Sequence, residues 1–181
     1  MKTESTVKYV LRLAVTLLLI TAFVAAALAG VNSITAPAIA ELTAQKTQEA
    51  IEAVLPGGGE VVDFPETALV SKVYASDAGY AVEVTPGGFD NTITMMVGVD
   101  TEGKVLGISI ISHTETAGLG AVAAATTSAG EAFRAQFVGN AGSVAVTKDG
   151  GTLDAITGAT ITSRAVCAGV NAALDCVANM G

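Results

Sequence analysis

Hydrophobic and polar positions divide the chain into four stretches. Residues 13–31, LAVTLLLITAFVAAALAGV, carry no charge over nineteen positions, close to the ~20 an α-helix needs to cross a bilayer. Lys2, Lys8 and Arg12 precede this run, and no charged residue follows it until Glu41. A basic flank of this kind predicts a cytoplasmic N-terminus and export of everything beyond Val31. Ala27-Leu28-Ala29 also fits a signal-peptide cleavage pattern. The apolar run exceeds the ~7–15 residues of a signal h-region, however, which favours a retained anchor.

In the second stretch Ile39, Leu42, Ile51, Val54 and Leu55 recur among Glu, Gln and Lys at helical spacing. Thr35 is placed as an N-cap with Pro37 in the first turn, and Pro56-Gly57-Gly58-Gly59 is a stop signal. The spacing predicts a connecting helix that starts afresh after the membrane span. In the third stretch short apolar runs over 61–64, 69–75, 80–85, 93–99 and 105–112 alternate with turn sequences such as Ser76-Asp77-Ala78-Gly79 and Asp100-Thr101-Glu102-Gly103. Strands joined by tight turns make an antiparallel sheet.

The fourth stretch is mixed. Phe133 and Phe137, four apart, predict a short helix over 131–137. Residues 144–147 read as one more strand. Val166, Val170, Ala173 or Leu174, and Val177 give residues 164–179 one apolar helical face, which packs on the sheet. The fold class expected is α+β: a transmembrane helix, then an antiparallel sheet flanked by helices. The division expected is 1–31 (cytoplasmic tail and span), 32–59 (connecting helix) and 60–181 (extracytoplasmic domain).

Composition narrows the partners. Beyond Val31 there are six basic and sixteen acidic residues, a net charge of −10. Nucleic-acid affinity rests on neutralising phosphates, so a nucleic-acid partner is excluded. Without Trp, the core must come from Val, Ile, Leu and Ala, with Phe64, Phe89, Phe133 and Phe137 as large members. Cys167 and Cys176 are nine residues apart in the last helix, roughly 13–14 Å along its axis. A disulfide needs Cα atoms within about 7 Å, so they read as small buried residues. His113 is the only histidine and has no cysteine or histidine cluster around it, which favours a structural role over a metal-binding one.

Two short motifs carry chemistry. Asp154-Ala155-Ile156-Thr157-Gly158-Ala159-Thr160-Ile161-Thr162-Ser163 sets four hydroxyl side chains and a glycine at the mouth of the last helix. Unpaired N–H groups and the helix dipole suit that position to an anion such as phosphate. The same residues serve equally as ordinary helix caps. His113-Thr114-Glu115-Thr116-Ala117-Gly118-Leu119-Gly120 flanks an apolar residue with two glycines. This is either a plain connection or a loop that brings backbone against something flat.

Taken together, these motifs resemble the covalent FMN-binding domain family. Thr157-Gly158-Ala159-Thr160 is similar to its [S/T]-G-A-[S/T] flavinylation motif, and Glu115-Thr116-Ala117-Gly118-Leu119-Gly120 to its ETPGLG partner motif. With one N-terminal anchor and this length, the whole chain resembles the G-subunit family of Rnf complexes, relatives of the C subunit of sodium-translocating NADH:quinone oxidoreductase. The chain departs from the pattern at Ala117, where the family often has Pro, and in lacking a Trp after that loop, whose place Phe133 would fill.

The resemblance implies FMN joined through its phosphate to the Thr160 hydroxyl by a separate flavin transferase that uses Mg²⁺ and FAD. Thr157, Thr162, Arg164 and the backbone around Gly158 and Ala159 would hold the phosphate. Glu115, Thr116, Gly118, Leu119 and Gly120 would border the flavin ring. The implied function is electron relay within a membrane complex coupling ferredoxin and NAD to Na⁺ or H⁺ transport, with the other complex subunits as partners and no independent catalysis. A standalone tethered flavoprotein, a C-type subunit of the quinone oxidoreductase, and a non-redox domain with a simple helix cap are the alternatives.

Overall fold

The structure is a computed structural model that describes residues 2–65 and 67–180, with side chains from Thr6 onward. The Lys2 and Glu4 side chains, part of the expected charged flank, lie outside the described residues. The first helix, α1 (Lys2–Val54), is continuous and contains Pro37, so the separate connecting helix predicted from residue 35 is corrected. Proline removes one N–H, which would otherwise bond the carbonyl four residues earlier. The Ala-rich sequence on both sides has high helix propensity and carries the helix through. This helix is long and apolar enough to cross a membrane.

The chain divides into two units, residues 1–44 and 45–181. The first holds α1 as far as Ala44, with exposed Leu, Ile, Val and Phe along its length. The second holds the last turns of α1 and a five-stranded antiparallel sheet in the order β1-β2-β3-β4-β5. These strands are β1 (Glu60–Val62), β2 (Val70–Ser76), β3 (Gly79–Val84), β4 (Thr94–Asp100) and β5 (Val105–Ser112). Every strand therefore follows its spatial neighbour in sequence, through tight turns at β2–β3 and β4–β5 and longer loops at β1–β2 and β3–β4. The Asp100 carboxylate accepts from the Glu102 and Lys104 N–H groups, each at 2.8 Å, and so closes the β4–β5 hairpin.

Alternation along the strands gives the sheet two apolar faces. Val82, Val84, Met95, Val97 and Val99 meet Val166, Val170, Ala173 and Val177 of the last helix, α3 (Thr160–Ala178). On the other face Ala81, Met96 and Ile111 meet Ala50, Ile51, Val54 and Leu55. Cys167 and Cys176 are free and buried on α3. Desolvation pushes the Cys167 thiol up to about 11.

Between β5 and α3 lie a 3₁₀ turn (Gly120–Ala124) and the helix α2 (Ser128–Ala135). Thr127 caps α2 by accepting from Gly130 N–H, and the Arg134 guanidinium donates to the Ala123 and Ala125 carbonyls at 2.7 and 2.9 Å. Phe133 and Phe137 pack edge-to-face in the core, their centroids 5.4 Å apart. The strand predicted at 144–147 is not formed. Asn171 on α3 both donates to and accepts from the Val144 backbone, at 2.9 and 2.7 Å. Only Val146 bridges Leu153, after which a 3₁₀ turn takes over at Thr147–Asp149. A helix side chain thus satisfies the groups that a strand neighbour would have paired.

Candidate functional site

Helix α3 begins at Thr160, four residues before the predicted start. Thr160, Ile161 and Thr162 are β-branched and poor helix formers, but Thr162 and Ser163 are almost wholly buried and packing holds the turn. Ala159, not a hydroxyl residue, is the N-cap and makes no side-chain cap bond. Ser163 Oγ instead accepts from the Ile156 N–H at 3.0 Å and donates to the Ala159 carbonyl at 3.0 Å. Ser163 thus ties the residues before the helix to its first turn, and Thr160 is half-buried beside it. Gly158, with φ +77°, supplies the left-handed turn before the helix.

A cleft of about 280 Å³ opens at this helix mouth. Gly158, Ala159, Thr160, Ile161 and Thr162 form one wall, and Glu115, Thr116, Leu119 and Gly120 form the other. The two motifs, some forty residues apart in sequence, thus face one another. Leu119 and Ile161 are 43% and 49% exposed, giving the cleft apolar flanks that meet solvent.

Glu115 ties the far wall together. Its carboxylate is buried and accepts from the Phe89 N–H at 2.8 Å, from the Asp90 N–H at 3.3 Å and from the Thr162 hydroxyl. One side chain thereby joins the loop after β3, the loop after β5 and the first turn of α3. A Cβ at Gly120 would collide with both the Glu115 carboxylate and the Thr162 hydroxyl. Only glycine leaves room for that bond.

Lys148 stands at the opposite edge, where its ammonium donates to Thr160 Oγ1 at 3.1 Å. Arg164 does not share this position. It is engaged with Asp149 through two bonds of 2.6 Å, one from Nε and one from Nη2. The Arg164 hydrogen bond holds the Asp149 carboxyl below its ordinary value and holds Arg164 above its own. A depressed carboxyl stabilises the fold above its unfolded pKa and loses that contribution as pH falls through the folded one, so the pair is intact at neutral pH.

Thr157 and Gly118 line a separate recess with Phe133, Gln136 and Asp154. The Gln136 amide grips the Asp154 backbone, accepting from its N–H at 2.7 Å and donating to its carbonyl at 3.3 Å. His113 is away from the cleft, in a recess with Lys46 and Glu49. Phe133 is core, and the aromatic residue beside the cleft is Phe89, 64% exposed. Sequence reasoning offers Phe89 as a core residue, which is corrected; it reads Lys148-Asp149-Gly150-Gly151 as a turn, which the structure keeps, but does not foresee the contact of Lys148 with Thr160. An aromatic side chain in the loop Gly87-Gly88-Phe89-Asp90-Asn91 is the available signal for the first. Nothing local marks the second, because the partner of Lys148 is twelve residues away.

The fold and cleft define a class first: the family model described as the FMN-binding domain matches residues 88–175. That span covers both motifs, Phe89 and Lys148. Over 96% of this chain and 94% of the relative, the chain is 31% identical to the G subunit of the Na⁺-translocating ferredoxin:NAD⁺ oxidoreductase complex of Acetobacterium woodii. It is also 31% identical to the G subunit of the ion-translocating oxidoreductase complex of Methanosarcina acetivorans, over 94% of this chain and 95% of that one. The corresponding G subunit of Pseudomonas aeruginosa is 34% identical over 62% of this chain and 55% of its own length. The chain belongs to the G-subunit family of ion-translocating oxidoreductase complexes.

Proposed function

We propose that this chain carries one FMN, esterified through its phosphate to Thr160 Oγ1, and relays electrons through it within an ion-translocating ferredoxin:NAD⁺ oxidoreductase. The observation that carries the reading is the setting of Thr160. Its hydroxyl stands at a helix mouth, beside an ammonium, in a cleft with apolar flanks. Helix N–H groups and the Lys148 charge suit a phosphodiester, while Leu119, Ile161 and Phe89 suit a flat apolar ring.

FMN supplies the redox chemistry. The chain's own residues bind and orient it. Thr160 provides the linkage oxygen, Gly158 and Ala159 bring backbone close, and Glu115 and Thr162 fix the distance between the walls. Thr116, Leu119 and Gly120 border the ring. Arg164 acts through Asp149, and Thr157 and Gly118 shape the neighbouring recess. An ester tether keeps the cofactor with the protein in either redox state, outside a cell where a dissociated flavin would be lost.

A flavin transferase attaches the group, with the exposed Asp154 as part of what it reads. The chain acts as a subunit of a translocase, with the other subunits of its complex as partners. Residues 1–31 form the cytoplasmic tail and span of a single-pass protein in the cytoplasmic membrane, 32–59 the connection and 60–181 the extracytoplasmic FMN domain. The apolar run and its basic flank support this orientation. Intact mass of the chain co-expressed with a flavin transferase tests the linkage. The expected result is a gain of one FMN less water on the peptide containing Thr160, absent from Thr160→Ala. Wild-type protein without that gain overturns the reading.

A further inference from the structure

Three charged groups next to the linkage hydroxyl are arranged in an order that their sequence does not require. Lys148 and Asp149 are adjacent on one 3₁₀ turn, and Thr160 and Arg164 are four apart on α3, one helical turn on the same face. Two cations and one anion therefore meet. Arg164 takes the Asp149 carboxylate in a two-bond fork, the geometry at which a guanidinium outcompetes an ammonium. Among the described residues the ion pairs within 4 Å are Arg164–Asp149 and Lys104–Glu102. Lys148 is thus left without a carboxylate at that distance, and its ammonium rests on Thr160 Oγ1.

We infer that the Asp149–Arg164 pair is a charge-partitioning brace. By occupying Asp149 it keeps the Lys148 ammonium available to the Thr160 oxygen while the flavin ester forms. This inference rests on the proposed attachment of FMN at Thr160. In the transfer, a bond forms between Thr160 Oγ1 and the phosphorus of the FMN half of a flavin adenine dinucleotide. The pyrophosphate P–O bond breaks and AMP leaves with that oxygen. The Oγ1 proton passes to a base of the transferase or to water, and no electrons are exchanged. Lys148 stabilises the negative charge growing on Oγ1 and on the incoming phosphoryl oxygens. Asp149 and Arg164 are positioning residues, because they act through Lys148.

The charge arrangement makes a prediction that a merely structural pair would not. In Arg164→Met the freed Asp149 carboxylate captures its neighbour Lys148, and loading slows. Removing that carboxylate as well, in Asp149→Asn/Arg164→Met, releases Lys148 and restores loading although the pair is gone. The test is a time course of FMN attachment to the full-length chain in detergent. Purified flavin transferase, FAD and Mg²⁺ are added, attachment is read by intact mass, and circular dichroism confirms folding.

The expected result is a roughly tenfold or greater loss of initial rate for Lys148→Met, a several-fold loss for Arg164→Met, and a double variant within about twofold of wild type. Wild-type loading with an unchanged rate in Lys148→Met or Arg164→Met overturns the inference. So does a double variant no faster than Arg164→Met. Wild-type chain that takes no flavin overturns the attachment reading itself, which is a distinguishable outcome.

Discussion

The two walls of the cleft are built in opposite ways. At the heart of one wall Glu115 and Gly120 are buried, and the Glu115 carboxylate faces protein donors on every named side. The edge formed by Lys148 and Thr160 has an exposed lysine and hydrogen bonds that reach into solvent-accessible space. The difference teaches where shape and reactivity are kept. Substitutions in the first wall should cost folding, whereas substitutions at the second should cost cofactor attachment and leave the fold standing.

The largest effect expected is at the reactive edge. Thr160→Ala abolishes covalent flavin, seen as complete loss of in-gel flavin fluorescence after denaturation, with an unchanged melting transition. Next comes the structural wall. Glu115→Ala strips the Phe89 and Asp90 N–H groups and the Thr162 hydroxyl of their acceptor, at about 2–4 kcal/mol in total. A lower melting temperature of the detergent-solubilised apo-protein reads this out. Gly120→Ala pushes a methyl group into the Glu115–Thr162 contact and should destabilise by about 1–3 kcal/mol. The smallest effect is expected at Thr157→Val. This side chain lines the neighbouring recess rather than the cleft, so stability shifts within about 0.5 kcal/mol and a substantial fraction of the flavin is retained. If Thr157→Val removes flavin as completely as Thr160→Ala, the separation between the two hydroxyls is wrong.

Much of this arrangement is legible in the chain. The sheet is readable because its strands are local: each apolar run is followed by its own turn and pairs with the next run. The last helix and its apolar face follow from spacing alone. Its start does not. Three β-branched or hydroxyl residues argue against helix, and only the burial of Thr162 and Ser163 against the rest of the domain reverses that preference.

Pro37 misleads for a related reason, since a single lost N–H counts for less than the helical tendency of the long run around it. At the site, the two motifs are visible and their meeting across one cleft is foreseeable. The identity of the cation is not. Arg164 lies nearer in sequence and is the natural choice, but it sits one turn along the helix, where Asp149 is within reach of its fork. Lys148 approaches Thr160 from a segment whose backbone is pinned by Asn171 at Val144 and by the internal Val146–Leu153 bridge rather than by a strand partner.

The two cysteines on α3 bear on survival rather than on shape. If the chain carries electrons through a flavin as proposed, it would work where reduced cofactor and oxidants meet, and thiols there are liable to sulfenic acid and mixed disulfides. Oxidation proceeds through the thiolate. With the Cys167 thiol pushed up to about 11 by desolvation, only about one part in a thousand is ionised at pH 8. Cys176, buried as well, is also raised by desolvation. The sulfur atoms of this helix therefore fill space in the core with their reactive thiolate form disfavoured by the same burial.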